Sequence, residues 1–285
     1  MHGGCDISQR KMVHLMLDHF RRWTSQIITP LCAVCSRSHT RPHALCVGCE
    51  AELLKNDYAC RRCAVPLSET PPSAYSRCRR FPVGPGQGHI TRRAPISGNA
   101  ALCQDCIRRP PSFISTLAPY LMSGPIKDLI HLWKFHHHPQ LTPLLAQLFG
   151  QACITRSIKS APDLIIPVPT HWRRRLRRGF DHTWLLTNAL ACLHGKHLFK
   201  NQRPVKAGLT IARHLPAQHT LDRNQRRVSR RASYVGKSCL EGKRIVLVDD
   251  VMTTGATFDA AAAACIEAGA SEVVCWCLAR TPPPH

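Results

Sequence analysis

From about residue 111 onwards, short apolar runs alternate with stretches whose apolar positions recur every three to four residues. The runs are STLAPYLM (115–122), DLIIPVP (163–169), RIVLVDD (244–250) and EVVCWCLAR (272–280). Such runs predict strands buried in a sheet. Between them, helical spacing covers PIKDLIHLWKF (125–135), TPLLAQLFGQACITR (142–156), HTWLLTNALACL (182–193) and TFDAAAAACIEAG (257–269). Alternating strands and helices predict an α/β fold, a mainly parallel sheet covered by helices, with ligands beyond the carboxyl ends of the strands. Nearer the start, Met12, Leu15, Met16, Phe20, Trp23 and Ile27 lie at roughly helical spacing and predict an amphipathic helix packed on the rest. A membrane-surface helix fits less well, because Asp18 is mixed with the bases on its polar face.

The pattern is absent between these regions, and cysteine dominates instead. Eight of the 16 cysteines form four Cys-x-x-Cys pairs: Cys32/Cys35, Cys46/Cys49, Cys60/Cys63 and Cys103/Cys106. Two residues between thiolates let a tight turn aim both sulfurs at one ion, and two such knuckles complete a tetrahedral zinc site. A redox role is the alternative, but redox motifs come singly beside a βαβ unit. The expectation is two structural Zn²⁺, with consecutive knuckles paired. A long basic insert rich in Pro and Gly separates Cys63 from Cys103; its Cys78 is either a competing ligand or a stray loop thiol. His39 and His43 lie near the first site but are not needed beside four cysteines. Arg-Arg-Pro-Pro at 108–111 breaks any helix. Three segments are therefore expected: an N-terminal helical extension (1–30), a double zinc-ribbon module (31–110) and an α/β domain (111–285).

Charge narrows the choice of partner. With 39 Lys and Arg against 17 Asp and Glu, the 285-residue chain carries a net +22, which favours polyanions, either a nucleic acid or a small polyphosphate. A generally basic surface accounts equally for the number alone. No stretch approaches the roughly 18 uncharged apolar residues that cross a bilayer, so a cytoplasmic protein is expected. The 44% hydrophobic content excludes a chain disordered throughout.

The segment from Arg244 to Thr257, RIVLVDDVMTTGAT, carries the most chemistry. It reads as a buried strand, two carboxylates at its end, a loop of small hydroxyl residues with Gly255, and a helix start. Free N–H groups and the positive dipole end there suit a phosphate monoester. Thr253, Thr254 and Thr257 add hydroxyl donors, while Asp249 and Asp250 fit a ribose diol. Upstream, IPVPTHWRRRLRRGF (166–180) places five arginines within 173–178 after a strand. Such a cluster holds pyrophosphate through charge-assisted contacts, or a nucleic-acid backbone.

The 245–257 segment resembles the phosphoribosyl pyrophosphate (PRPP) signature of type I phosphoribosyltransferases. Together with the cysteine knuckles, the PVP-to-RGF segment (167–180) and Gln218, Leu221 and Arg226, it is similar to the ComF/GntX family linked to DNA uptake and utilisation. That resemblance implies the type I phosphoribosyltransferase fold behind an N-terminal four-cysteine zinc-ribbon module. It also implies a phosphoribosyl-transfer activity with PRPP and Mg²⁺. Asp249 and Asp250 would be catalytic at the ribose, Val251, Met252, Thr253, Thr254, Gly255, Ala256 and Thr257 would hold the 5′-phosphate, and Arg173, Arg174 and Arg175 the pyrophosphate. The segment from about Lys200 to Ser238 resembles the loop that excludes water during the reaction. The alternative is a non-catalytic competence factor that grips single-stranded DNA and meets the uptake machinery, its PRPP pocket vestigial or regulatory. One departure stands out: Asp181-His182 replaces the family's Asn-Gln, and Asp181 would repel pyrophosphate unless a cation intervened.

Overall fold

The computed structural model describes residues 31–41, 44–67, 102–156, 161–200, 202–212 and 234–283, without the side chains of residues 173, 174 and 207. The expected N-terminal helix, the 68–101 insert with Cys78, His43, and the segment holding Gln218, Leu221 and Arg226 lie outside those residues. Two compact units divide between Glu52 and Leu53, Met1–Glu52 and Leu53–His285.

In the first unit, a turn at Cys32–Cys35 faces a short helix, α1 (Val47–Ala51), that starts at Cys46. The turn is closed by Ser36 N–H donating to the Cys32 carbonyl (2.9 Å) and Cys32 N–H donating to the Arg37 carbonyl (2.9 Å). Ser36 takes the left-handed region, φ 58°. The second unit repeats this design. Ala64 (φ 53°) donates to the Cys60 carbonyl (2.8 Å), Cys60 donates to the Val65 carbonyl (2.8 Å), and α2 (Gln104–Arg108) starts at Cys103.

The rest of the second unit is the α/β layer structure. Its parallel sheet has the order β1 (Ser115–Leu117), β7 (Glu272–Arg280), β6 (Arg244–Met252), β3 (Leu164–Pro167), with β2 (Tyr120–Leu121) also paired to β7. The run 115–122, expected as one strand, is split because Pro119 has no N–H to donate. The interrupted backbone is taken up by Asn56, whose side chain donates to the Ala118 carbonyl (3.2 Å) and whose N–H donates to that of Pro119 (2.8 Å). Both outer strands are covered: Thr116 N–H donates to the Arg61 carbonyl, and Val205 N–H to that of Ile165.

Helix α7 (Ala256–Glu267) covers one face. Its buried Ala261, Ala262 and Ala264 let it lie close to Ile245, Leu247, Cys275 and Cys277. Strand alternation turns Val246 and Val248 to the other face, where α6 (His182–Leu198) packs with α4 (Thr142–Thr155) beside α3 (Gly124–Phe135). Trp133, Phe149, Leu186 and Leu190 are fully buried there. The sequence did not announce the short helix that the arginine run forms, α5 (Trp172–Arg178), or the antiparallel pair of β4 (Leu209–Ile211) with β5 (Tyr234–Gly236).

Candidate functional site

Strands β3 and β6 are neighbours in register, Pro167 opposite Val248, so the two motifs found far apart in the sequence emerge side by side at the carboxyl edge of the sheet. After β6, Thr253, Thr254 and Gly255 turn into α7. Gly255 adopts φ 81°, which only glycine takes without cost, and its carbonyl accepts the first helical bond from Asp259 N–H (2.9 Å). Thr253, Thr254 and Thr257 are exposed, with Gly255 and Ala256 half-buried. The Met252 side chain is buried in the core, so Met252 can face a ligand only through its backbone. This is a helix N-terminus with exposed hydroxyls and no side-chain cap, the one acid of its first turn, Asp259, accepting Ser112 N–H (2.8 Å), an arrangement that attracts an anion.

The two carboxylates were expected to act alike, and the structure separates them. Successive strand residues point to opposite faces. Asp250 turns into the helical layer, only 3% exposed, where Lys134 of α3 approaches to 2.7 Å and His182 of α6 to 3.1 Å. Burial alone would raise its pKa, but the Lys134 charge and the His182 hydrogen bond hold it well below the usual carboxylate range. Asp249 stays half-buried and accepts the Asp250 N–H (2.8 Å). Burial, then the neighbouring Asp250 charge, push the Asp249 carboxyl above the usual carboxylate range. Asp250 thus ties α3 and α6 to the end of β6.

Beyond β3, a cavity of about 590 Å³ is lined by Pro167–Trp172, Arg175, Asp181, Thr183, Lys206 and Leu209–Ala212. The signature residues 249–257 do not line it. The Asp181 carboxylate has a local explanation. It caps α6 by accepting Trp184 N–H (3.3 Å) and the Thr183 hydroxyl (3.1 Å), and it is neutralised by Lys206 (3.3 Å) and, more loosely, Arg175 (3.9 Å). The cavity therefore keeps a cationic lining despite the acidic replacement. Arg178 is turned inward, 9% exposed, with its guanidinium 2.9 Å from His182 Nδ1. Arg175 and Arg177 are exposed, while the side chains of Arg173 and Arg174 fall outside the described residues. Sequence reasoning missed Lys134, Lys206 and Arg280. Lys206 was legible only as one base in a basic stretch, and the other two had no local signal.

The cysteines form two groups, Cys32, Cys35, Cys46, Cys49 and Cys60, Cys63, Cys103, Cys106, with the four sulfurs of each within 4.8 Å of one another. A tetrahedral zinc with bonds of about 2.3 Å spaces its sulfurs by roughly 3.8 Å; Cys35 to Cys46 is 3.7 Å and Cys63 to Cys103 is 3.6 Å. Burial disfavours the thiolates of Cys32 and Cys60, yet backbone N–H donors outweigh it and bring them to about 6 and about 7. Burial raises Cys49 and Cys106. Each group fits a zinc ion. His182, Asp249 and Asp250 also converge, but Lys134 and His182 already occupy Asp250, so they do not fit Mg²⁺, which asks for a nearly complete oxygen shell.

Comparison with known proteins adds relatives. Residues 206–283 match the family model described as phosphoribosyl transferase domain. The DNA utilization protein YhgH of Salmonella typhimurium is 30% identical over 190 residues, 66% of this chain and 81% of that protein. Competence protein F of Haemophilus influenzae is 31% identical over 186 residues, 62% of this chain and 78% of the relative. Among solved structures, the glutamine PRPP amidotransferase from B. subtilis is 22% identical with a TM-score of 0.33, covering 50% of this chain and 26% of its own. Among the described residues no helix is long and apolar enough to cross a membrane.

Proposed function

This chain belongs to the ComF/GntX family, with a phosphoribosyltransferase domain, and from that premise we propose that it binds PRPP across the ends of β6 and β3 and transfers its phosphoribosyl group. The observation that carries this reading is that the anion-ready helix start, 253–257, and the segment lining the cation-lined cavity leave the neighbouring strands β6 and β3 at the same edge of the sheet. In transfer, the bond from the anomeric carbon to pyrophosphate breaks as the bond to an acceptor nucleophile forms, so the protein's task is positioning and charge neutralisation. The Thr253, Thr254 and Thr257 hydroxyls and the loop N–H groups take the 5′-phosphate. Asp249 addresses the ribose hydroxyls. Lys206 and Arg175 receive the departing pyrophosphate, with Arg173 and Arg174 on the same short helix. Mg²⁺ enters as the salt of PRPP rather than in a protein cage. The two cysteine groups hold structural Zn²⁺.

Calorimetry with PRPP and Mg²⁺ tests the reading. Wild type should bind, and Gly255→Val should bind at least ten-fold more weakly, because a Cβ is strained at φ 81° and the loop must reshape. No heat from the wild type sinks it.

A second reading, binding of single-stranded DNA, draws on one feature. Trp172 and Phe135 are about half-exposed, at 56% and 48%. The segments bearing them meet where His137 Nδ1 lies 3.0 Å from the Arg178 carbonyl and Arg178 lies over the Phe135 ring. Exposed Arg175 and Arg177 flank them, giving aromatic faces beside positive charge, the combination that stacks bases along a strand.

A further inference from the structure

Arg280 ends β7 directly behind the signature loop and is only 6% exposed. Its Nε donates to the Cys63 carbonyl (2.9 Å), and its Nη1 to the carbonyls of Met252 (3.1 Å), Thr253 and Thr281 (2.7 Å). One planar guanidinium thus joins a knuckle of the second cysteine group to the loop proposed to hold the 5′-phosphate.

The consequence follows from peptide geometry. In a trans peptide the carbonyl and the following N–H point in opposite directions, and no described peptide bond is cis. The Met252 carbonyl also accepts Thr281 N–H (2.9 Å), a bond of the β6–β7 ladder, whereas the Thr253 carbonyl is drawn to Arg280; the N–H groups of Thr253 and Thr254 therefore face away from Arg280, on the side where both residues are exposed. The cation also sits behind those amides among carbonyl dipoles, adding positive potential where the loop opens. Two further ties hold the other end of the loop to the segment after Cys106. Ser112 N–H donates to Asp259 Oδ1 (2.8 Å), and the buried rings of Phe113 and Phe258 lie edge to face with centroids 6.5 Å apart. A lysine would keep the charge but cannot span both sides, since its single nitrogen lacks the rigid fork.

We infer that Arg280 is a positioning residue: braced on the Cys63 carbonyl, it turns the Thr254 amide toward an incoming phosphate and reinforces the sheet bond that already directs the Thr253 amide there. The inference rests on the PRPP reading for the identity of that phosphate. Its test is calorimetric titration of the wild type, Arg280→Lys and Arg280→Gln with ribose 5-phosphate and, separately, with inorganic pyrophosphate. Amide relaxation of residues 253–255 is followed by NMR in the same proteins. Both variants should bind ribose 5-phosphate at least ten-fold more weakly while keeping pyrophosphate within two-fold. Their loop order parameters should fall from about 0.85 to below about 0.6. Unchanged ribose 5-phosphate affinity, or equal loss of both ligands, overturns the inference. If the wild type binds neither ligand, the PRPP reading falls, and relaxation alone then decides: loosened loop amides support the positioning role, and amides as rigid as in the wild type refute it. Should Arg280→Gln fail to fold, Arg280→Lys carries the same comparison.

Discussion

Lys134 and Asp250 form an ion pair of 2.7 Å with side chains 13% and 4% exposed, so removing Lys134 takes the cation from a buried carboxylate that keeps its His182 contact. Breaking a buried pair in this way costs roughly 3–5 kcal/mol. Lys134→Met should accordingly lower stability at neutral pH by an amount in that range, and restoring neutrality with Asp250→Asn in the same chain should recover part of it. The pH sign follows from the lowered Asp250 pKa. A carboxylate depressed by folding contributes stability that is present above the ordinary carboxylate range and is lost as pH falls through the folded value. The gap between Lys134→Met and wild type in urea titrations should therefore narrow toward acid; a gap independent of pH would contradict the pairing. At this scale little was legible in advance. Lys134 looked like one polar position in a helical period, and the pairing of Asp-Asp in sequence suggested two equivalent ligands. Strand alternation makes them inequivalent.

Among the elements, the long ones were read closely because their signal is periodic and local. The structure has β6 at Arg244–Met252 and α7 at Ala256–Glu267, near the apolar run and the alanine-rich period that announced them. The short ones were not. Helix α5 hid in a run of arginines, and β4 and β5 are three residues each, stabilised by what they lie on rather than by their own pattern. Strand β5 shows this dependence. A Cβ on Gly236 would come within 2.5 Å of the Ala264 carbonyl and 2.7 Å of the Ala268 methyl, both on or beside α7. Backbone cannot swing aside as a flexible side chain does. Gly236→Ala should cost about 1–3 kcal/mol, the usual cost of overpacking, visible as a lower urea midpoint with an unchanged slope.

For the whole molecule, the repeated knuckle geometry predicts about two zinc ions per chain by metal analysis, following from two groups of four cysteines. Chelation should lower the melting temperature, since structural zinc contributes folding free energy; less than one zinc per chain would contradict this. The DNA reading is tested at the same scale, through the net charge of +22. Charge reversal at Arg175 and Arg177 should weaken single-strand binding and flatten its salt dependence by about 0.7 for each phosphate no longer neutralised, and an unchanged slope would set that reading aside. What the sequence by itself determined were the features written in neighbouring residues: the α/β alternation, the Cys-x-x-Cys turns, and the strand, Thr-rich loop and helix start of the signature. Each depends on interactions within a few residues, where spacing dictates geometry. Tertiary structure alone decided that Asp250 belongs to Lys134 and His182, that Asp181 is neutralised by Lys206 and Arg175, and that Arg280 joins Cys63 to Thr253. Those partners are scattered along the chain. They meet because β3, β6 and β7 lie side by side in an order no local pattern encodes, and the desolvation of buried charge then compels each to find its counterpart.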